Sequence, residues 1–210
     1  MSTGHRKLLV ATRNQGKVRE YRRLLASLPV EITYLDQEGI DHQIVETGST
    51  FTDNAVQKAR GYASLSGLLT LADDSGLEVD ALAGEPGVHS ARYAGEKATD
   101  EERYQLLLER LKGVRWEDRT ARFRCVMAVA EPGGDIHTAE GVCEGLIALA
   151  PAGDFGFGYD PVFYLPEHDK TMAQLDPEVK NRISHRARAA RKIRPVLARL
   201  LRRDHVSGSG

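Results

Sequence analysis

The sequence predicts an α/β fold in which helices flank a mixed β-sheet. The apolar run Leu8 to Ala11 leads through a polar turn into an amphipathic segment, which is the pattern of a strand, a loop and a helix. The runs Ala121 to Ala130 and Ile136 to Val142 flank Pro132-Gly-Gly-Asp135, which is typical of an antiparallel hairpin. A sheet that holds both kinds of unit contains parallel and antiparallel strands.

Length and composition predict one soluble domain, with room for two lobes. The chain has 210 residues, which is too short for an array of domains. Hydrophobic residues make up 41% of it and charged residues 28%, which excludes a disordered or collagen-like chain. We expect one domain over residues 1–203, followed by a frayed tail or an expression remnant in the Ser- and Gly-rich residues 204–210.

The cysteine content and the hydropathy pattern exclude two further classes of protein. Cys125 and Cys143 have no paired spacing, which argues against a disulfide scaffold and against a cysteine-bound zinc site. The apolar runs are only a few residues long, and no signal-peptide core is recognisable. We therefore expect a cytoplasmic protein that does not contact a membrane.

The first fifty residues predict one helix between two strands. The polar turn Thr12 to Lys17 precedes a helix whose apolar stripe covers residues 18–28, and Pro29 stops it. A second strand is expected over Ile32 to Leu35, and residues 41–49 are expected to form a polar loop.

The middle of the chain predicts a second helix and a strand that ends in acidic residues. Thr50 is a favourable N-cap for a helix that Gly67 ends. Leu68 to Ala72 is expected to be a buried strand that runs into the turn-like sequence Asp73-Asp-Ser-Gly76. A loop that contains Gly and Pro follows over residues 84–95.

Capping residues mark the remaining helices. Thr99 and Glu102 form a capping box before an apolar stripe over residues 104–111. Asp176 is the expected cap of the C-terminal helical region. Within that region, Pro195 should kink or divide the last helix.

Positive charge is concentrated near the C terminus. Lys180 to Arg203 contains ten Lys or Arg residues and no acidic residue, so the rest of the chain carries a net charge of −11 within a total of −1. Such a segment can bind nucleic acid, an anionic small molecule or the acidic remainder of the same protein, and it can also be a solvated helix face.

Three acidic residues indicate a site of the magnesium type. Glu46 and the adjacent Asp73 and Asp74 offer hard oxygen ligands, which Mg²⁺ prefers together with phosphates and water. Neighbours on a regular strand point to opposite faces, so the two aspartates share one site only if the strand ends at Asp73 and the turn brings Asp74 round. The alternative is a plain turn closed by side-chain hydrogen bonds.

Two lysines are candidates for phosphate contacts. Lys17 lies where the first loop meets a helix N-terminus, which attracts anions. The sequence Thr12-x-Asn14-x-x-Lys17 is too short for a P-loop, and a lysine at such a position is often exposed to solvent. Lys58 adjoins the apolar stripe of the second helix, so it points into a cleft or extends to solvent.

A third group has the properties of a nucleobase site. Phe157-Gly-Tyr-Asp160 offers an aromatic face and an acceptor for ring N–H groups, while Lys180 and Ser184-His-Arg186 offer donors for a carbonyl oxygen. Taken singly, the aromatic residues could be core residues, and Ser184 could simply cap a helix with His185 exposed. Acids, lysines and base-reading residues together indicate an enzyme that acts on nucleotides.

Six motifs, spaced along nearly the whole chain, carry a family resemblance. In order they are Ala11-Thr-Arg-Asn-Gln-Gly-Lys17, Glu46-Thr-Gly48, Ala72-Asp-Asp-Ser-Gly-Leu77, Gly87-Val-His-Ser-Ala-Arg-Tyr93, Phe157-Gly-Tyr-Asp-Pro161 and Ser184-His-Arg186. Together they resemble the inosine/xanthosine triphosphate pyrophosphatase family, and six motifs are far more specific than any one of them.

The resemblance implies a fold and an activity. The fold is an elongated mixed α/β structure with two lobes around a central cleft, usually as a homodimer. The activity is Mg²⁺-dependent hydrolysis of the purine nucleoside triphosphates ITP, dITP and XTP to the monophosphate and pyrophosphate.

The resemblance also implies a role for individual residues. Glu46 and Asp74 would bind the metal, and Asp74 would in addition be the catalytic residue that accepts a proton from water. Asp73 is not assigned a role. The residues that would bind substrate are Thr12, Arg13, Asn14, Gln15, Gly16, Lys17, Lys58, Ser75, Phe157, Gly158, Tyr159, Asp160, Lys180, His185 and Arg186.

The chain departs from the pattern of this family at two positions. Members of the family often have glycine where this chain has Arg13 and Ala187. Arg13 could add a phosphate contact or fold outward, and Ala187 stiffens the first turn of its helix. Neither change removes a chemical group.

Two other functions are compatible with parts of the sequence. A Maf-like nucleotide pyrophosphatase would share the phosphate chemistry and prefer other bases, although the Phe157 and Ser184 motifs argue against it. A nucleic-acid-binding module would use the basic C-terminal segment, which lacks interleaved aromatic residues. We expect no nucleic-acid partner.

Overall fold

The computed structural model describes residues 6–203, so the predicted tail over residues 204–210 lies outside the described residues. The strands are β1 Arg6–Val10, β2 Val30–Tyr34, β3 Leu69–Val79, β4 Thr120–Ala130, β5 Ile136–Ile147, β6 Phe163–Leu165 and β7 Lys170–Thr171. The α-helices are α1 Gln15–Leu24, α2 Phe51–Ser66, α3 Asp100–Arg110, α4 Pro177–Ile183 and α5 His185–Arg203.

The strands form one seven-stranded sheet in the order β2-β1-β3-β4-β5-β6-β7. Strand β1 pairs in parallel with β2 and β3, and Leu8 lies opposite Ile32 and Leu69. The pairs β5–β6 and β6–β7 are antiparallel. Strands β4 and β5 are neighbours joined only by residues 131–135, a connection too short for a parallel crossover. The predicted α/β fold with a mixed sheet is confirmed.

Strand β3 is longer than the sequence predicts. It continues from Leu69 through Asp73, Asp74 and Ser75 to Val79, so the expectation of a strand end at Asp73 and of a turn after it is wrong. Pairing with β1 ends at Leu71, and β3 continues beyond that point beside β4, so a tertiary neighbour overrides the local turn preference.

Helix α1 is displaced toward the N terminus relative to the prediction. Asn14 is its N-cap, and the Asn14 side chain accepts a hydrogen bond from the Lys17 N–H at 3.0 Å. Lys17 therefore lies within the first helical turn rather than before it. The helix ends at Leu24, before Leu28 and Pro29, with Leu25 as its C-cap.

The predicted capping residues are confirmed. Thr50 caps α2, and Gly67 ends that helix with a left-handed φ of 66°. Thr99 forms the capping box of α3, and Asp176 caps α4. Helix α5 runs without interruption past Pro195, so this proline does not divide the helix, and the alternative of a kink stays a prediction.

The chain forms two compact units. The first comprises the described residues up to Asp74, Val126–Glu140 and the described residues from Arg188, while the second comprises Ser75–Cys125 and Gly141–Ala187. The core of the second unit is a cluster of buried residues that includes Leu77, Leu107, Phe123, Tyr159 and Phe163. No helix within residues 6–203 is both long enough and apolar enough to cross a membrane.

Candidate active site

A largely buried lysine brings together two carboxylates that are far apart in the sequence. The Nζ atom of Lys58 on α2 lies 3.1 Å from Oε2 of Glu46 and 3.4 Å from Oδ1 of Asp74. The side chain of Lys58 is only 12% exposed, and that of Asp74 is 11% exposed. The structure therefore joins three of the predicted site residues in one cluster within the first unit.

Glu46 lies in the loop formed by residues 41–49, which is fastened to α2 by side-chain hydrogen bonds. Three backbone N–H groups of the loop donate hydrogen bonds to three different side chains of α2. These bonds run from Ile44 to Tyr62 Oη at 3.3 Å, from Thr47 to Gln57 Oε1 at 3.2 Å and from Gly48 to Asn54 Oδ1 at 2.8 Å.

Burial and the neighbouring charges shift the pKa values of the groups in this cluster. Burial raises the pKa of Asp74, and the nearby charge of Glu46 adds to the effect, while Lys58 and a hydrogen bond from Asn54 oppose it. Burial alone would lower the pKa of Lys58, but the charges of Asp74, Glu46 and Asp73 outweigh burial and raise it. The cluster thus holds more negative charge than its lysine neutralises, and it favours a further cation.

Asp73 and Asp74 have different partners. Oδ2 of Asp73 accepts a hydrogen bond from Nζ of Lys17 at 2.8 Å. Oδ2 of Asp74 accepts one from Nδ2 of Asn54 at 3.1 Å. Because both aspartates belong to one continuous strand, the separate partners agree with the alternation of side chains along a strand. Asp73 holds a lysine that the sequence predicts to contact phosphate.

The segment before α1 is arranged around the helix N-terminus. The Asn14 N–H donates to Thr12 Oγ1 at 3.2 Å, and Gln15 and Gly16 begin the helix. This terminus is suited to an anion because the N–H groups of a first helical turn lack intrahelical partners. Arg13 turns away, since its guanidinium donates to the carbonyl oxygen of Ile40 at 2.6 Å.

The second unit contains another buried lysine and carboxylate pair. Nζ of Lys180 on α4 donates to Oδ2 of Asp160 at 2.6 Å, and the two side chains are 8% and 4% exposed. The same Asp160 oxygen accepts the N–H of Phe157 at 2.9 Å, and Nζ of Lys180 lies 4.8 Å from the centre of the Phe157 ring. The pair therefore holds the half-buried aromatic ring in place.

Glycines allow the loop around Phe157 to close on these groups. Gly156 has a φ of 85°, and a Cβ atom there would lie 2.1 Å from Oδ2 of Asp160. The N–H of Gly158 donates to Oδ2 of Asp100 at 2.7 Å, so the loop is fastened from two sides. Tyr159 belongs to the hydrophobic core, and its hydroxyl donates to the carbonyl oxygen of Ser90 at 2.9 Å.

The start of α5 is buried, unlike a solvated helix face. Arg186 is only 2% exposed, and it donates to Oγ of Ser75 at 2.9 Å. Its guanidinium carbon lies 5.7 Å from the centre of the Phe157 ring. His185 is buried and stacks on Phe123 with a centroid distance of 4.7 Å, so the alternative of an exposed His185 is wrong.

Ser184 is the N-cap that the sequence allows. Its Oγ accepts the N–H of Ala187 at 3.2 Å, and Ala187 itself is buried. The alanine found at the position of a common family glycine is therefore accommodated within the first turn of the helix.

Sequence reasoning missed Asn54 and Asp100, which contact the predicted site residues directly. Asn54 bonds to Asp74, and Asp100 bonds to Gly158 beside Phe157. The only sequence signal for either is its place in the first turns of a well-capped helix, which carries no information about a partner 20 or 58 residues away.

The donor set fits a divalent metal ion that is completed by its substrate. Within residues 6–203 there is no group of three or more His, Cys, Asp or Glu side chains placed to hold a metal ion. Glu46 and Asp74 instead form a two-carboxylate site with a cation, the Lys58 ammonium, held between them. Mg²⁺ is commonly bound by one or two carboxylates, with substrate phosphates and water as the remaining ligands.

Comparison with known proteins reveals close relatives over almost the whole chain. The dITP/XTP pyrophosphatase of Desulforamulus reducens is 52% identical over 194 residues, which cover 92% of this chain and 96% of that protein. The dITP/XTP pyrophosphatase of Bacillus subtilis is 47% identical over 189 residues, which cover 90% of this chain and 96% of that protein.

Solved structures show the same fold. A HAM1 protein from Coxiella burnetii has a TM-score of 0.84 and 45% identity, covering 92% of this chain and 99% of that one. The dITP/XTP pyrophosphatase from Mycobacterium abscessus has a TM-score of 0.73 and 43% identity, covering 90% of this chain and 99% of that one. Residues 8–196 match the Ham1 family, so the chain belongs to this family and the resemblance drawn from its motifs is confirmed.

Proposed function

We propose that this protein hydrolyses the non-standard purine nucleoside triphosphates ITP, dITP and XTP to the nucleoside monophosphate and pyrophosphate. Relatives that are 47–53% identical carry the name dITP/XTP pyrophosphatase. The observation that carries the proposal within the structure is the convergence of Glu46, Asp74 and Lys58. Such hydrolysis would remove damaged purine nucleotides from the nucleotide pool.

The proposed reaction is a substitution at the α-phosphorus. A water molecule attacks this atom, the bond to the oxygen that bridges the α- and β-phosphates breaks, and pyrophosphate leaves. Asp74 accepts the proton that the attacking water loses. Lys17 and Lys58 stabilise the negative charge that gathers on the leaving group.

Glu46 and Asp74 would hold Mg²⁺. Their carboxylates already face one cation, the Lys58 ammonium, and the burial of Asp74 makes uncompensated negative charge costly there. When bound, Mg²⁺ would supply charge stabilisation at the phosphates and orient them. Thr12, Asn14, Gln15 and Gly16 would contact the phosphates at the N-terminus of α1.

Recognition of the base would use the second unit. Phe157 would stack on the purine with Gly158 beside it, while the Asp160 and Lys180 pair and the buried Tyr159 fix that loop. Arg186 and His185 would offer donors to O6 of hypoxanthine or xanthine, and Ser75 orients Arg186. Adenine presents an amino group at that position, which would leave buried donors unpaired and so exclude ATP.

Arg13 is a weaker candidate for the phosphate site than its neighbours, because its guanidinium is bound to Ile40 and lies 3.4 Å from Asp36. Three expectations from the sequence stay predictions. They are the homodimer, the elongated outline with a central cleft and the cytoplasmic location.

A substrate panel with Mg²⁺ tests the function. Pyrophosphate release should be fastest with dITP, ITP and XTP, slow with dATP and dTTP, and abolished by EDTA.

Asp74→Asn should lower turnover at least about a hundred-fold, the usual scale for a lost general base, while Asp135→Asn in an exposed turn should not. A preference for pyrimidine triphosphates would favour the Maf-like alternative, and salt-dependent oligonucleotide binding without hydrolysis would favour a nucleic-acid-binding module.

Replacing Arg186 should weaken base selection. Loss of a charged hydrogen bond costs about 1.5–3 kcal/mol, so Arg186→Ala should lower the ratio of kcat/KM for dITP over dATP by about ten- to one-hundred-fold. Arg186→Lys keeps the charge and should lose less. Lys192→Ala, on an exposed part of the same helix, is the control. An unchanged ratio in Arg186→Ala would assign this residue to the scaffold.

Asp100 should affect substrate binding through the Phe157 loop. Asp100→Ala removes the acceptor for the Gly158 N–H, so the KM for dITP should rise roughly ten-fold with a smaller change in kcat. Asp100→Asn retains an acceptor oxygen and should restore most of the binding. Glu101→Ala removes a neighbouring exposed acid and serves as the control. Equal KM values in Asp100→Ala and Glu101→Ala would contradict this role.

A further inference from the structure

We propose that Asn54 is a positioning residue that fixes Asp74 and the loop carrying Glu46 relative to each other, so that the two carboxylates face the same point. The proposal rests on the proposed function, in which these carboxylates hold the metal ion. Asn54 is buried, with 2% of its surface exposed, and it has no place among the predicted substrate contacts.

Both halves of the Asn54 amide are used. Its Oδ1 accepts the N–H of Gly48 at 2.8 Å, which fastens the loop two residues after Glu46. Its Nδ2 donates to Oδ2 of Asp74 at 3.1 Å, which leaves Oδ1 of Asp74 as the oxygen nearest Lys58. One rigid planar group therefore sets the orientation of the Asp74 carboxylate and the position of the loop.

The chemistry of the two partners requires an amide at this position. The Gly48 N–H needs an acceptor and the Asp74 carboxylate needs a donor, and an asparagine side chain presents both in a fixed geometry. An alanine or a leucine would satisfy neither partner. Because Asp74 is buried, loss of the donor would leave its carboxylate short of a hydrogen bond that water does not easily replace.

The surrounding segment is shaped to bring Asn54 close to the loop. A Cβ atom at Gly48 would lie 2.5 Å from Cβ of Asp53 and 2.8 Å from Oδ1 of Asn54, so only glycine allows this approach. Thr50 caps α2 by accepting the Asp53 N–H at 3.1 Å, which turns the loop directly into the helix. The close contact is therefore built into the backbone.

Gln57 provides a matched comparison on the same helix. Its amide also fastens the loop, because Oε1 accepts the Thr47 N–H at 3.2 Å and Nε2 donates to Thr47 Oγ1 at 3.2 Å. Both of these bonds go to the loop, whereas Asn54 bonds to the loop and to Asp74. Comparing the two residues separates simple anchoring of the loop from orientation of Asp74.

The test compares Asn54→Ala and Asn54→Leu with Gln57→Ala in the full chain. Mn²⁺ binding is titrated by electron paramagnetic resonance in the presence of α,β-methylene-dITP, which cannot be cleaved at the scissile bond. Both Asn54 variants should bind Mn²⁺ about ten- to one-hundred-fold more weakly than the wild type, the usual cost of losing a group that orients a metal ligand. At saturating Mg²⁺ they should also show a lower kcat with little change in the KM for dITP. Gln57→Ala should remain within a few-fold of the wild type.

Three outcomes would overturn the proposal. Mn²⁺ affinity of folded Asn54 variants equal to that of the wild type would assign Asn54 to packing, and equal losses in the Asn54 and Gln57 variants would assign it to loop anchoring. If the Asn54 variants do not fold, the proposal is tested on the wild-type protein by NMR. The side-chain amide protons of Asn54 should exchange slowly with solvent, and their resonances should shift on addition of Mg²⁺. Fast exchange without a shift would contradict the proposal. A wild type that releases no pyrophosphate from dITP would instead refute the proposed function.

Discussion

The candidate site depends on the ion pairs that the ammonium group of Lys58 makes with two carboxylates. A buried charge is costly unless it is paired, and removal of one partner leaves the other uncompensated. Lys58 belongs to α2, Glu46 to the loop before it and Asp74 to β3, so one charge cluster ties three parts of the chain together. The raised pKa of Lys58 reflects this, because attraction to the acids outweighs the cost of its burial.

The second unit also contains a lysine paired with a buried carboxylate, but this pair has a different role. Lys180 also extends from a helix to a buried carboxylate, but it has Asp160 as its closely bound acid, and that acid also binds the backbone of the Phe157 loop. This arrangement fixes an aromatic ring. Around Lys58, by contrast, two acids share one lysine, which leaves negative charge available for a further cation.

Local signals predict the helices well, whereas contacts made across long sequence separations escape sequence reasoning. Thr50, Gly67 and the capping box at Thr99 act within a few residues, so the sequence alone identifies them. The turn expected at Asp73 fails because β3 continues as a strand beside β4, which lies far away in the sequence. The burial of Arg186 is equally hidden, because its partner Ser75 lies 111 residues away.

The charges around Asp74 also indicate how the ligands of the proposed reaction would depend on one another. Glu46, Asp73 and Asp74 face the ammonium groups of Lys17 and Lys58, which leaves one negative charge in excess. A divalent ion alone would reverse that sign, and a triphosphate alone would add several negative charges beside buried carboxylates. Each ligand thus improves the electrostatic environment of the other, so the metal ion and the triphosphate should bind with positive coupling. A site that binds both together needs only a few carboxylates of its own, which agrees with the small set of acidic side chains found there.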